Sequence, residues 1–450
     1  MRNTRCLLGL AALFLIIPAS SYGQKPGWTA VAPMSVARLG HSMVELPQGP
    51  NALGLSTGPG KVMVIGGFDN SPLYAPKIAN PLASCEIYDP TTNKWTAAAP
   101  HPISAGWRWA TVVSNGMVLV VGGAKSLTTV VASSHLYDPS TNTWIATKPA
   151  PIAMTNPHAF MHSVLLPNGQ VLIAGGIDQN GVNSASKKTV PPSSQFSYLF
   201  TLNVRHPELS SWDFTRSKLD GTISPMPDER TTSALVLMAN GKVLNVGGLG
   251  PQVSGAVAAT NAASIFDPAT GLWSSVSPMP PVYGLGEDEN VAAYPTGPGS
   301  RWAPYAQLLD NGQVLIAGGD AGLTFSSFTP RSSAIIFDPV VNGWTLTTPM
   351  LFRRWYGAWI LKNSDVSGVL FAGEGFSSDN PLHDVTGEIY APATQQWTLS
   401  PTDGGPTIEG SISEYESQSV QLKTGKMQVA GGADLATGSI ATQFSWIYKP

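Results

Sequence analysis

The sequence predicts an all-β protein built from repeats along nearly the whole chain, and three observations carry this prediction. A short unit that combines a turn, an apolar run and a glycine doublet recurs seven times, once in degraded form. A second unit, an aromatic residue with a tryptophan seven positions later, recurs five times. Glycine (46 residues) and proline (38 residues) are abundant, as expected for many short strands joined by turns.

The glycine-doublet unit is clearest at residues 168–176, with the sequence NGQVLIAGG, which residues 311–319 repeat. Asn-Gly favours a tight hairpin because both residues tolerate positive φ. The apolar run that follows has the length and the β-branched content of a buried strand. Two adjacent glycines then allow a bend or a close approach of another backbone segment. Looser copies lie at residues 61–67, 115–123, 240–248 and 425–432, and a degraded copy ends at Gly373-Glu374.

The aromatic–tryptophan unit keeps the same spacing in all its copies. In four of them Asp-Pro follows the aromatic residue and starts a turn, in which the aspartate bonds forward to the backbone. We therefore expect the two aromatic residues on neighbouring strands, packed on the same core. In the irregular third unit, Phe200 and Trp212 are predicted to take these roles. The five regular pairs are Tyr88–Trp95, Tyr137–Trp144, Phe266–Trp273, Phe337–Trp344 and Tyr390–Trp397.

Three long polar or irregular segments interrupt the repeats, at residues 46–60, 178–194 and 282–300. We interpret them as loops on one face of a rigid scaffold, since loops tolerate insertions. No change of composition marks a second domain.

An apolar strand, Gly-Gly, an aromatic residue and a tryptophan after a short turn together resemble the kelch repeat. This resemblance implies an all-β fold, a seven-bladed kelch-type β-propeller of four-stranded blades. The last doublet, Gly431-Gly432, has no tryptophan after it. Trp28 is followed by Pro33-Met34, just as Trp273 is followed by Pro278-Met279. We therefore expect the N-terminal strand to complete the last blade, which closes the ring and removes an open sheet edge.

The first 23 residues have the features of a signal peptide, so the propeller is predicted to span residues 24–450. Arg2 and Arg5 precede an apolar run at 7–17 that is too short to span a bilayer, and Pro18 ends it. A retained anchor is the alternative. The mature protein is then expected to be secreted or periplasmic, with no membrane span after leader cleavage. Cys85 is its only cysteine, which excludes an internal disulfide and a thiolate metal site.

The composition also limits which kinds of partner are expected. The net charge of −3 gives no basic surface for nucleic acid, so no nucleic-acid partner is predicted. The acidic run at 287–289 is interpreted as a solvated loop, with calcium or a basic partner as the alternative. No cofactor and no metal site are predicted, because His158 and His162 would lie far apart along a strand.

A polar or aromatic residue recurs four positions after a methionine at the start of several repeats. In a propeller these positions converge at one mouth of the central channel. Arginine binds carboxylates and aromatic rings stack on sugars, so the predicted partner is a carbohydrate, a sugar acid or a protein. The alternative is internal pairing of the arginines with carbonyls and acids, for which Glu414 and Glu416 are candidates. The candidate ligand-binding residues are Arg38, His158, Arg230, Arg354, Tyr356, Glu414 and Tyr415.

Two enzyme functions are alternatives to a binding module. The segment 350–356 looks like the arginine-bearing segment of galactose oxidase and glyoxal oxidase, which implies that Arg354 contacts substrate. Those copper enzymes need two tyrosines, two histidines and a cross-linked cysteine, whereas a matching Tyr-His pair is absent, His383 lies in a predicted loop and Cys85 is expected to face the core. The other alternative resembles the kelch-type sialic acid epimerases, with an arginine for the carboxylate and a glutamate or histidine as base. No catalytic residue is assigned.

Overall fold

The computed structural model describes the chain in ranges separated by gaps. These ranges are 28–47, 60–70, 79–126, 129–148, 162–176, 195–251, 257–281, 299–321, 330–354, 359–363, 368–372, 388–399, 414–415, 418–424, 426–434 and 440–448.

The main strands form antiparallel four-stranded sheets, which we number in chain order. Sheet 1 has strands Ser42–Leu46, Lys61–Ile65, Cys85–Asp89 and Lys94–Ala98. Sheet 2 has Trp109–Val112, Val118–Val121, Ser134–Asp138 and Thr143–Ala146. Sheet 3 has His162–Leu165, Val171–Ala174, Ser197–Thr201 and Ser211–Phe214. Sheet 4 has Ala234–Leu237, Val243–Val246, Ala263–Asp267 and Leu272–Val276.

Sheet 5 has strands Tyr305–Leu308, Val314–Ala317, Ala334–Asp338 and Gly343–Leu346. Sheet 6 has Trp359–Asn363, Gly368–Ala372, Glu388–Ala391 and Gln396–Leu399. Sheet 7 has Gln418–Gln421, Met427–Ala430, Ser445–Tyr448 and, as its outer strand, Trp28–Ala30. The smaller elements are the hairpins Ala124–Ser126 with Thr129–Val130 and Leu249–Pro251 with Val257–Ala259, the three-stranded sheet of Glu414–Tyr415, Ala433–Asp434 and Ile440–Ala441, and the 3-10 helix Pro207–Leu209.

The first strands of successive sheets lie side by side around an axis. The first strand of each sheet contacts the first strand of the next, and the first strand of sheet 7 returns to that of sheet 1. Apolar side chains fill the space between adjacent sheets, as Val44 and Met63 of sheet 1 do against Val118 and Val120 of sheet 2. The predicted all-β propeller with four-stranded blades is therefore confirmed.

The predicted closure by the N-terminal strand is confirmed by the strand register. Trp28 pairs with Tyr448 and Ala30 with Trp446 in an antiparallel ladder. The buried side chain of Met34 then packs between this sheet and sheet 1, in one cluster with Ile447.

The constant spacing of the aromatic–tryptophan unit follows from its turn. The aspartate accepts a hydrogen bond from the N–H two residues later, as Asp138 does from Ser140 at 2.9 Å. The fifth residue after the aromatic takes a left-handed conformation, with φ of 52° at Asn93 and 54° at Asn142. The aromatic and the tryptophan therefore pair across neighbouring strands, with ring centroids between 4.9 and 5.3 Å apart. The roles predicted for Phe200 and Trp212 are confirmed, since their rings lie 4.9 Å apart.

The Asn-Gly turns differ from the prediction. Gly169 has a φ of 84° and Gly312 of 85°, but their asparagines do not have positive φ. The Gly169 N–H donates to the Leu166 carbonyl at 2.9 Å, and Asn168 Oδ1 accepts from the Gln170 N–H at 3.0 Å. This is a type I turn followed by a left-handed glycine, so only the glycine needs the left-handed region.

The glycine doublets join one sheet to the next, as their predicted close approach requires. The N–H of the second glycine donates to a carbonyl at the start of the following repeat, as Gly319 does to Arg354 at 2.9 Å and Gly432 to Arg38 at 3.0 Å. A Cβ on Gly431 would lie 2.4 Å from the Arg38 carbonyl oxygen. Any side chain would therefore force sheets 7 and 1 apart.

Tryptophan indoles make a second connection between neighbouring sheets. Trp144 Nε1 donates to the Ala99 carbonyl at 2.8 Å, which follows the last strand of sheet 1. Equivalent hydrogen bonds run from the indole Nε1 to a backbone carbonyl in three other pairs: Trp95 to Ala32, Trp344 to Ser277 and Trp397 to Thr348.

Candidate ligand site at the channel mouth

The candidate site lies at the end of the sheets where the glycine doublets occur. There, in sheets 1, 2, 4 and 5, the segment that leads into the first strand pairs with the residue after the doublet. Such pairs are Leu39 with Phe68, Gly106 with Ala124, Thr231 with Leu249 and Trp302 with Asp320. These segments therefore lie at the same end of the ring, the end that carries the glycine doublets.

An apolar cluster lies across this mouth. We call it the mouth cluster, and it consists of Leu39, Phe68, Trp107, Ala124, Val130, Leu249, Ala259, Trp302 and Ala441. Its members come from sheets that are not neighbours in the ring, so the cluster reaches across the axis. Phe68 and Trp302 are completely buried. Sequence reasoning missed this cluster, although its signal was present in the apolar residues directly after the doublets at Phe68, Ala124 and Leu249.

The predicted arginines share one structural role. Each sends its backbone carbonyl toward the preceding sheet and its guanidinium into its own sheet. Arg38 NH1 donates to the Gly66 carbonyl at 2.7 Å and the Ser84 carbonyl at 2.9 Å. Arg301, which leads into sheet 5 and is not one of the predicted arginines, donates from NH1 to the Gly318 and Ser333 carbonyls in the same way, at 3.2 and 3.0 Å.

Two of these arginines are paired with buried glutamates. Arg38 lies 2.9 Å from Glu86 and Arg354 lies 3.0 Å from Glu388, and all four side chains are at most 3% exposed. Each glutamate stands two residues before the aromatic residue of its third strand. Burial raises the pKa of Glu388, whereas Arg354 and two backbone N–H groups counteract this and favour the carboxylate.

The glutamates also hold the backbone that follows the methionine. Glu86 accepts hydrogen bonds from the N–H groups of Ser35 and Val36 at 2.7 and 3.1 Å. Glu388 accepts from Leu351 and Phe352 in the same pattern. This geometry matches the alternative of internal pairing for Arg38 and Arg354.

Arg230 is held differently. Its NH1 donates to the carbonyls of Asn245 and Ala262 at 3.3 and 3.1 Å, and its NH2 lies 2.6 Å from Asp228. The Asp228 side chain is 46% exposed, whereas that of Arg230 is fully buried. The Glu86 position is taken by Ser264 in sheet 4.

The other candidates are described in part or not at all. His158 and Tyr356 lie outside the described residues, as do Glu416 and His383. Glu414 and Tyr415 form a short strand that pairs with Asp434 and Ala433, and only their backbone is described. The acids that pair with the three predicted arginines in the described part are Glu86, Asp228 and Glu388. They lie in the same repeat as their arginine, which local sequence spacing does not reveal.

The buried His101 and the half-buried His135 lie near Arg108. His101 and His135 stack edge to face with centroids 4.8 Å apart, next to Trp144. Burial lowers the pKa of His101 to about 2 and that of His135 to about 4, and the Arg108 charge acts in the same direction. Among the described residues, no group of three or more His, Cys, Asp or Glu could hold a metal ion.

Cys85 faces the core, as expected. It packs between sheets 1 and 2 beside Val120 and Tyr137, and its Sγ lies 3.6 Å from the Ala83 carbonyl. Burial raises the pKa of this thiol to about 11. A cross-linked cysteine of a copper site would have to lie at the channel instead, so the described residues do not fit the copper centre that the resemblance of segment 350–356 implies.

Comparison with known proteins agrees with this architecture. Residues 52–102 match the Kelch motif. Over 100 residues the chain is 37% identical to Kelch-like protein 25 of Xenopus tropicalis, and equally to that of Xenopus laevis. These matches cover 22% of this chain and 15% of each relative.

Solved structures resemble the fold over most of its length. A novel fungal alcohol oxidase of the AA5 family, in complex with copper, aligns with a TM-score of 0.62 and 14% identity, over 94% of this chain and 76% of the oxidase. YjhT aligns with a TM-score of 0.49 and 15% identity, over 82% and 99% of the two chains. The chain is thus a β-propeller of four-stranded blades with a Kelch motif match at residues 52–102, and its fold is similar to that of the AA5 alcohol oxidase. Within the part that the structure describes, no helix has the length and apolar character to cross a membrane.

Proposed function

We propose that this chain is a secreted or periplasmic kelch propeller of seven blades that acts as a binding module. Its ligand, a carbohydrate, a sugar acid or a protein, binds at the channel mouth. The blade count is supported by the sheets described above, whose first strands contact one another in a closed cycle. The leader at residues 1–23 supports export.

The observation that carries this proposal is the construction of the mouth. The mouth cluster places buried apolar side chains at the mouth, and the guanidinium groups of Arg38 and Arg354 are bound within their own repeats. A rigid scaffold of this kind suits recognition by the loops around it.

A thermal-shift screen against neutral sugars and sugar acids tests this function. We expect at least one compound to raise the melting temperature without being consumed. Accelerated anomer exchange of a bound sugar acid, followed by NMR, would replace the binding module with a mutarotase. A screen without any stabilising sugar, together with no captured protein partner, would refute the proposal.

A further inference from the structure

Sheet 4 differs from sheets 1 and 6 at the third-strand position two residues before the aromatic, where sheets 1 and 6 have the glutamate that binds their arginine. Arg38, Arg230 and Arg354 each follow a methionine by four residues. In sheets 1 and 6 a glutamate from the third strand closes the arginine off from solvent. Sheet 4 has Ser264 at that position, so Arg230 has no acid from its own sheet.

The local sequence explains why a buried carboxylate would be poorly held in sheet 4. Glu86 and Glu388 each accept two N–H groups from the residues directly after the methionine. In the Arg230 repeat the residue after Met226 is Pro227, which has no N–H to donate. One of the two donors that hold the glutamate is therefore missing.

Buried polar atoms without a partner occur on Arg230 and on the two strands whose ends its guanidinium contacts. Asn245 and Ser264 face each other across the second and third strands, and Asn245 supplies a carbonyl to Arg230. Arg230 Nε, Asn245 Oδ1 and Ser264 Oγ are buried and have no hydrogen-bond partner in the described structure. Unpaired buried polar groups are costly, so the site gains from a further polar partner.

The acid that forms an ion pair with Arg230 lies at the surface. Asp228 is two residues away in sequence, and its side chain is nearly half exposed while Arg230 is fully buried. Because Asp228 reaches solvent, a second carboxylate can approach the guanidinium from the same side and make the same charge-assisted bond. The Asp228 carboxylate can therefore be replaced by another carboxylate at little cost.

We propose that Arg230 is the carboxylate-binding group of the channel mouth, and that Asp228 occupies its place until a ligand carboxylate displaces it. This inference rests on the proposed binding function and names its ligand class, an organic acid or sugar acid. Arg38 and Arg354 are then structural residues, because their glutamates are buried and cannot leave.

Chemical rescue of Asp228→Ala tests the exchange directly. The variant should melt lower than the wild type, and sodium formate should raise its melting temperature by about 1–3 °C more than it raises that of the wild type. Sodium chloride at equal ionic strength should not do so. The matched control is Asp213→Ala, since Asp213 pairs with Arg216 where both side chains are exposed; formate should have no selective effect there.

Two further variants keep the test decisive. Asp228→Asn replaces the alanine variant if the latter does not fold, with the same expected rescue. The double variant Asp228→Ala, Arg230→Met should lose the formate effect. Glucuronate should also bind Asp228→Ala several-fold more tightly than the wild type, since its competitor is gone.

Equal formate effects in Asp228→Ala, Asp213→Ala and the wild type would overturn the assignment of Arg230. So would formate rescue that persists after Arg230→Met. Either result leaves the binding function intact if the sugar screen has given a ligand, so the two proposals fail separately.

Discussion

Removing the Arg354 side chain should destabilise the propeller strongly, because it isolates a buried carboxylate. Glu388 is completely buried and lies 3.0 Å from the guanidinium NH2 and 3.1 Å from Nε. In the variant Arg354→Ala the carboxylate keeps only its bonds to the N–H groups of Leu351 and Phe352. Breaking a buried pair from one side costs about 3–5 kcal/mol, so the free energy of unfolding should fall by that amount.

Urea unfolding of Arg354→Ala, Glu388→Gln and the double variant measures this pair. Glu388→Gln should cost less, about 1–3 kcal/mol, since the amide still accepts a hydrogen bond. The double variant should be more stable than the sum of the two losses predicts, with a coupling energy of about 1–3 kcal/mol. Arg216→Ala is the control, because Arg216 is 40% exposed in its pair with Asp213. A loss below about 1 kcal/mol for Arg354→Ala would refute the structural role of this pair.

Three further predictions concern closure and pH. Deleting residues 27–34 should lower the melting temperature far more than deleting residues 178–194, since the first deletion removes a paired strand and the buried Met34. Equal melting temperatures for the two variants would contradict closure of the ring by the N-terminal strand. Gly431→Ala should lower the free energy of unfolding by about 2 kcal/mol or more, because the new Cβ would lie 2.4 Å from the Arg38 carbonyl oxygen and φ is +65°. An unchanged urea midpoint would contradict this close packing of sheets 7 and 1. Burial lowers the pKa of His101 to about 2, so the stability that its neutral ring contributes is present above its unfolded pKa of about 6.5 and is lost as the pH falls. The fall in the free energy of unfolding between pH 6.5 and 4.5 should therefore be about 2–3 kcal/mol smaller in His101→Asn than in the wild type, and an equal fall in both would contradict this.

The repeats were predictable because each has a local cause. The spacing from Tyr88 to Trp95 is fixed by one Asx turn and one left-handed residue, and both lie within the motif. The tight hairpin at Asn168-Gly169 was predicted correctly, but its turn type was not, because the dipeptide suits two turn types and Pro167, which precedes it, fits the first central position of a type I turn.

Which acids bind the arginines at the mouth depends on how the strands pair. A single sequence indicates strand pairing only weakly. The methionine spacing predicted that Arg38, Arg230 and Arg354 take equivalent places. It did not predict that Glu86 and Glu388 bind two of them, since those glutamates lie 48 and 34 residues away from their arginines. A usable signal exists, because both glutamates stand two residues before the aromatic of their unit. The ligand-binding roles of His158, Tyr356, Glu414 and Tyr415 remain predictions.

Saturation-transfer NMR on a sugar acid, with exchange spectroscopy on the same sample, tests the central claim that this propeller binds at its mouth without turnover. We predict saturation transfer to the ligand and an anomer exchange rate equal to that in buffer, with transfer lost in Arg230→Met but retained in the control Arg216→Met. Faster anomer exchange in the presence of the protein, or saturation transfer that survives Arg230→Met, would contradict this account.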